Sequence, residues 1–195
     1  MSRLMLAALV VLLILGVPLE SSQAVSVLGL FFSGTEFSDV TTNLDTVGAP
    51  FNSYIVTLNP GVTSIAGYEV GITISDPTVF VLKVFGPNDW SNDGDQLNQL
   101  VDFGTPLPVI DNAAVLGTMS LLYIGQQYVE FHFGPASPPG LPDHQGPLLS
   151  DGDNPDNLIP CGTYGGHEQG LVATLNSYGP PVEATTLSQL KSMFR

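Results

Sequence analysis

Basic residues are almost missing from this chain: 4 Lys and Arg stand against 18 Asp and Glu in 195 residues, a formal charge of −14. They are Arg3, Lys83, Lys191 and Arg195. So acidic a surface repels phosphodiester backbones and anionic headgroups, which argues against nucleic acid as a partner and favours cations or basic proteins. Cysteine is scarcer still. Cys161 stands alone, so no internal disulfide forms and the core must carry the stability. A single thiol of this kind is expected to be a small buried residue. Charged residues of either sign make up only 11% while apolar ones reach 44%, a balance that excludes a disordered chain. Catalytic signatures are absent as well: there is no serine elbow, no Cys-His pair, no phosphate loop and no HExxH. The expectation is a protein that is not an enzyme.

A long hydrophobic run occurs once, from Leu4 to Val17, behind the positive Arg3 and ahead of small residues at Ser22 and Ala24. It falls short of the ~20 residues of a spanning helix and has the three-part pattern of a secretory signal. Residues 1–24 therefore read as a signal peptide in a helical conformation, cut after Ala24. The alternative is an uncleaved anchor. No membrane span remains after cleavage, and the localisation expected is secreted, either extracellular, periplasmic or at the cell surface.

What is present is period-two alternation. Asn52 to Ser75 organises the chain: Tyr54, Val56 and Leu58 alternate on one side, then Tyr68, Val70, Ile72 and Ile74, around a turn at Asn59, Pro60 and Gly61. Each pattern places one face of a strand in a core, and the turn between them predicts a hairpin. A second hairpin is expected from AVLGTMSLLYI, with Val115, Met119, Leu121 and Tyr123 on one side, and the following run with Val129, Phe131 and Phe133 inward. TVFVLKVF reads as a strand apolar on both faces. Leu100, Val101 and Phe103 predict a short strand that Pro106 and Pro108 interrupt. VSVLGLFFS and GLVATLNS read as the first and last strands. The expected fold is all-β, an antiparallel β-sandwich of about eight or nine strands over residues 25–178. Residues 179–195 form a Pro-Gly linker and a short basic amphipathic helix, with Thr186 as N-cap and Lys191 and Arg195 near its end.

Four features of this pattern resemble the cohesin-type sandwich of bacterial secreted proteins, which is related to carbohydrate-binding modules. They are the strand ending at Asn59, Gly67 before an alternating strand, the turn Asp76-Pro77, and the later strand opening Val115-Leu116-Gly117. The resemblance spans about half the mature chain. It implies a module for cell-surface adhesion, protein assembly or carbohydrate binding, with a protein or a polysaccharide as ligand. Ser75 departs from the aromatic usual before the Asp-Pro, and the proline-rich stretch after Phe133 has no counterpart in the family. No dockerin-binding residues are therefore carried over.

Loops supply the candidate chemistry. DWSNDGD sets Asp89, Ser91, Asp93 and Asp95 at alternate positions about Gly94, the first half of a calcium-binding loop that lacks its later ligands. Asp151, Asp153 and Asp156 in SDGDNPDN are the acids that would complete such a site, with Ca2+ as cofactor. The competing reading is a pair of solvated Asx turns. Trp90 either stacks on a sugar ring or plugs an end of the sandwich. Asp143 and His144 join it as candidate binding residues, since 134–157 carries six prolines and reads as an ordered covering loop. Glu130 and His132 read as a surface pair. The alternative function is a carbohydrate-active hydrolase that uses the loop acids.

Overall fold

Burial follows the alternation, and the alternation closes two sheets on each other. The computed structural model describes residues 25–44, 47–165 and 170–176; the expected signal peptide, linker and C-terminal helix lie outside them. Thirteen strands form among the described residues, four or five more than the sequence suggests, because loops contribute short ones. They are β1 (Val27–Phe31), β2 (Thr41–Thr42), β3 (Pro50–Leu58), β4 (Ser64–Ile74), β5 (Val79–Phe85), β6 (Trp90–Asn92), β7 (Asn98–Pro108), β8 (Ala113–Tyr123), β9 (Val129–Gly134), β10 (Leu148–Asp151), β11 (Leu158–Pro160), β12 (Gly162–Thr163) and β13 (Gly170–Leu175). Among the described residues no helix is long and apolar enough to cross a membrane.

The five-stranded sheet has the order β12-β1-β3-β8-β5. In the eight-stranded sheet β11-β10-β4-β9-β13-β2 form one path, and β7 joins β4 with β6 outside it. The core between the sheets holds Leu28, Leu30, Ile55, Leu116, Met119, Leu121 and Tyr123 from the first, against Tyr68, Val70, Ile72, Phe131, Phe133 and Leu149 from the second. Each such side chain, removed from water, contributes roughly 1.5–3 kcal/mol.

Both expected hairpins are corrected. β3 pairs with β1 and β8 and β4 pairs with β7, β9 and β10, so the turn at Asn59–Gly61 carries the chain from one sheet to the other. β8 and β9 are likewise in opposite sheets. Alternation identifies an inward face, and an arch between sheets satisfies that as well as a hairpin does. On β3 the core side is Ser53, Ile55 and Thr57, whereas Tyr54 looks outward beside Phe31. The outer face there has its own aromatic cover, Phe31 meeting Phe37 and Tyr164 edge-on at 5.9 and 5.1 Å between centroids. β8 has a bulge opposite Ile55 and Val56, which turns Leu116 inward in place of Val115. β7 runs through Pro106 and Pro108, where its register to β4 slips between Ile65 and Gly67.

The proline-rich stretch interrupts one strand. Gly71 of β4 pairs with Asn98 on one side and Gly134 on the other, and Glu69 pairs with Leu100 and Leu148. β9 and β10 therefore occupy the same side of β4 on successive rungs, and residues 135–147 leave the sheet and return to the line they left.

Candidate functional site

That excursion is held against the outer face of the eight-stranded sheet, as an ordered covering loop would be. Asn98 makes a two-way amide contact with Ser137: its Nδ2 donates to Ser137 O at 2.8 Å and its Oδ1 accepts from Ser137 N at 2.7 Å. Glu69 Oε2 accepts from Gly140 N at 2.8 Å. Gly71 is required where Pro135 crosses β4, since a Cβ there would collide with the Pro135 carbonyl. His144 Nε2 lies 3.2 Å from Pro147 O and 3.3 Å from Cys161 O, so the ring ties the loop's far end to the link between β11 and β12.

Between the start of this loop and the turn at Asp95–Asn98 is an open groove of about 540 Å³. Gly71, Thr73 and Gly134 give it a low floor, Asp95, Asn98 and Ser137 one wall, and His132 another. His132 Nε2 and Glu130 Oε2 are 3.1 Å apart, both half-exposed. Burial, and then the hydrogen-bonded carboxylate of Glu130, push the nearby Tyr128 phenol above its ordinary value. The surface pair expected at Glu130 and His132 thus borders a concave site, which strand alternation alone does not reveal. Asn98 and Ser137 were equally hidden, because their meeting depends on a loop folding back over 39 positions.

The loop acids are elsewhere engaged. Asp95 Oδ1 accepts from Leu97 N and Asn98 N, both at 2.7 Å, and Asn92 Oδ1 accepts from Gly94 N and Leu100 N. Asp151 Oδ1 accepts from Asp153 N and its Oδ2 from the Asn157 amide. These are Asx turns. The first loop sits beside Gly71 of β4 and the second beside Ser64, where Gly152 N donates to Ser64 O. Among the described residues no three His, Cys, Asp or Glu side chains gather as metal ligands. The loop that carries Asp89, Asp93 and Asp95 and the loop that carries Asp151, Asp153 and Asp156 thus stand at different places along β4. Thermal unfolding with calcium and with chelator is expected to give the same midpoint; a higher midpoint in calcium would restore the site.

Trp90 is half-buried against the core, its ring over Gly86, where a Cβ would stand 2.7 Å from Cγ. Asp143 and His144 line a shallow depression of about 330 Å³ with Leu141 and Pro142, and Trp90 is not part of it.

No family model matches the sequence, and no curated protein does. Solved structures do match. A type II cohesin domain from the cellulosome of Acetivibrio cellulolyticus superposes with a TM-score of 0.52 at 13% identity, over 80% of this chain and 98% of that one. A cohesin module from a Clostridium perfringens family 33 glycoside hydrolase gives 0.48 at 13% identity, covering 78% and 97%. The sixth cohesin from Acetivibrio cellulolyticus scaffoldin B, solved with a Cel5 dockerin mutant, gives 0.49 at 8%, covering 78% and 99%. With two facing sheets and the superposition on the type II cohesin domain, the chain has the fold of a cohesin-like β-sandwich.

Proposed function

We propose that this protein is a secreted, non-catalytic docking module that holds a partner protein on the outer face of its eight-stranded sheet. The observation that carries the reading is the groove over Gly71, Thr73 and Gly134, walled by the loop that Asn98 pins. A low floor of small residues between raised walls admits a polypeptide segment and leaves backbone within its reach. The single aromatic in the lining, Phe133, is buried in the core. A sugar-stacking platform needs an exposed ring, so the surface suits a protein better than a polysaccharide. Asp95 and Glu130 beside the groove, on a chain of −14, suit a partner segment carrying Lys or Arg. The fold shared with a cellulosomal cohesin domain agrees with assembly as the task, and the export signal read at residues 1–24 supports a task outside the cytoplasm.

Arrays of basic peptides and of polysaccharides, probed with the purified chain, test the proposal. Peptides are expected to bind, more weakly as salt rises, and Glu130→Lys is expected to reduce that binding several-fold without lowering the melting temperature. Capture by polysaccharides alone, or peptide binding indifferent to Glu130→Lys, overturns it.

A further inference from the structure

A sandwich is open to other chains at its sheet edges, where N–H and C=O groups lack partners. Here most edges are minimal: β2 and β12 have two residues, β6 and β11 three. The exception is β5, seven residues long and, among the described residues, paired only with β8.

Its hydrogen-bond phase is fixed. Ile124 N donates to Thr78 O at 3.2 Å, so Thr78–Ile124 and Phe80–Leu122 are the hydrogen-bonded pairs of this antiparallel ladder. Val79 and Val81, opposite Tyr123 and Leu121, hold the alternate positions, whose backbone groups point away from β8. Val79 N is satisfied by Asp76 O at 3.3 Å. The Val79 carbonyl and both backbone groups of Val81 remain available at the edge.

Natural edges are guarded by bulges and by Lys. β5 has both, a register shift between Val81 and Lys83 and the Lys83 ammonium itself, and both protect its C-terminal half. The N-terminal half has neither. It shows Phe80 46% exposed and borders a second open groove of about 490 Å³, lined by Ile72, Asp76, Val79, Val81 and Leu97 among others. This groove is the gap between the two sheets on their open side.

We propose that this edge docks an extended segment of a partner protein, which adds to the five-stranded sheet as an antiparallel sixth strand along Val79–Val81. Alternate apolar side chains of the segment enter the groove against Ile72 and Leu97, and those between them lie beside Phe80. Charge sets its direction. Antiparallel to β5, the segment's C-terminal end meets Asp76 and takes Lys or Arg there, and its N-terminal end meets Lys83 and takes an acid. The surface is distinct from the outer-face groove, although the two share the rim at Ile72, Thr73 and Leu97.

Selection of a displayed random-peptide library on the purified chain supplies the probe. Recovered peptides are expected to alternate apolar residues, with a base toward the C-terminus, and to slow hydrogen exchange at the Val81 amide. Methylating the pairing backbone nitrogens of such a peptide is expected to weaken it about tenfold or more. Val81→Pro is expected to do the same, since it removes an N–H that takes no part in the ladder to β8. If that variant does not fold, the N-methylated peptide on the unaltered chain decides. The proposal is overturned if no alternating binder is recovered, if N-methylation leaves affinity unchanged, or if the Val81 amide exchanges as before. Peptides that lose affinity for Glu130→Lys but keep it for Val81→Pro would sink the edge and leave the outer-face groove standing; the converse would sink the groove alone.

Discussion

Gln99→Ala is expected to cost about 4 kcal/mol of stability, a large share of what a domain has in hand. Gln99 is 0% exposed, in a core made mostly of apolar side chains. Its Oε1 accepts from the Tyr68 hydroxyl at 2.6 Å and its Nε2 donates to Gln96 O at 2.9 Å. Truncation leaves the Tyr68 hydroxyl buried without a partner, which costs about 1–3 kcal/mol. It also opens a cavity between β4 and β7, whose cost adds to this. Urea unfolding should show the midpoint moving down with an unchanged slope. Tyr68→Phe should cost less, about 1–3 kcal/mol, because only the Gln99 oxygen is orphaned and no volume is lost. The double variant Tyr68→Phe, Gln99→Leu should cost clearly less than Tyr68→Phe and Gln99→Leu measured singly and added together, since both ends of the pair are removed at once. Simple additivity would mean that the hydrogen bond contributes nothing specific.

The second large effect is on the alkaline side. Cys161 is 1% exposed and hydrogen-bonded to Ser26 Oγ at 3.1 Å. Burial pushes its thiol from 9.0 up to about 12, a rise that the Ser26 contact only moderates. The thiolate is the disfavoured form, so the folded state retains a proton that the unfolded chain begins to release at pH 9. Stability from this group is complete below that value and is lost as pH rises toward 12. At about 1.4 kcal/mol per unit, the loss is on the order of 4 kcal/mol. Denaturant unfolding at successive pH values should show the decline starting near pH 9 in the unaltered chain. In Cys161→Ala it should start only near pH 10, where Tyr68, also raised by burial, takes over. Parallel curves for the two proteins between pH 8 and 10 would refute the assignment.

Which residues face inward was legible in the sequence wherever a strand is regular: Tyr68, Val70 and Ile72, or Val129, Phe131 and Phe133, are buried as their spacing demands. What alternation does not encode is the sheet to which a strand belongs. Asn59–Gly61 looked like a hairpin turn because a tight connection between two amphipathic strands has the same sequence whether it reverses within a sheet or arches between two. Bulges are the second blind spot. One extra residue at Leu116 inverts the face of everything before it, and nothing short of the partner strand's register announces this. The candidate site was hidden for a third reason. Asp93, Asp95, Asp151 and Asp153 drew notice through their spacing, yet backbone amides two or three positions away satisfy Asp95 and Asp151. The groove that did form depends on Asn98 meeting Ser137 across 39 positions, a contact between two small polar residues with no pattern around them.

The detour at 135–147 has a consequence for how such a molecule could be altered. Because the chain departs from β4 opposite Gly71 and rejoins it opposite Glu69, the sheet does not register how many residues are spent in between. A loop of different length or composition would leave every rung in place, provided that its two ends keep their positions. The scaffold and its cover are thus separable: the sandwich can stay fixed while the cover is exchanged, without refolding the domain. The same separability makes 138–146 a natural cassette into which a foreign epitope could be grafted.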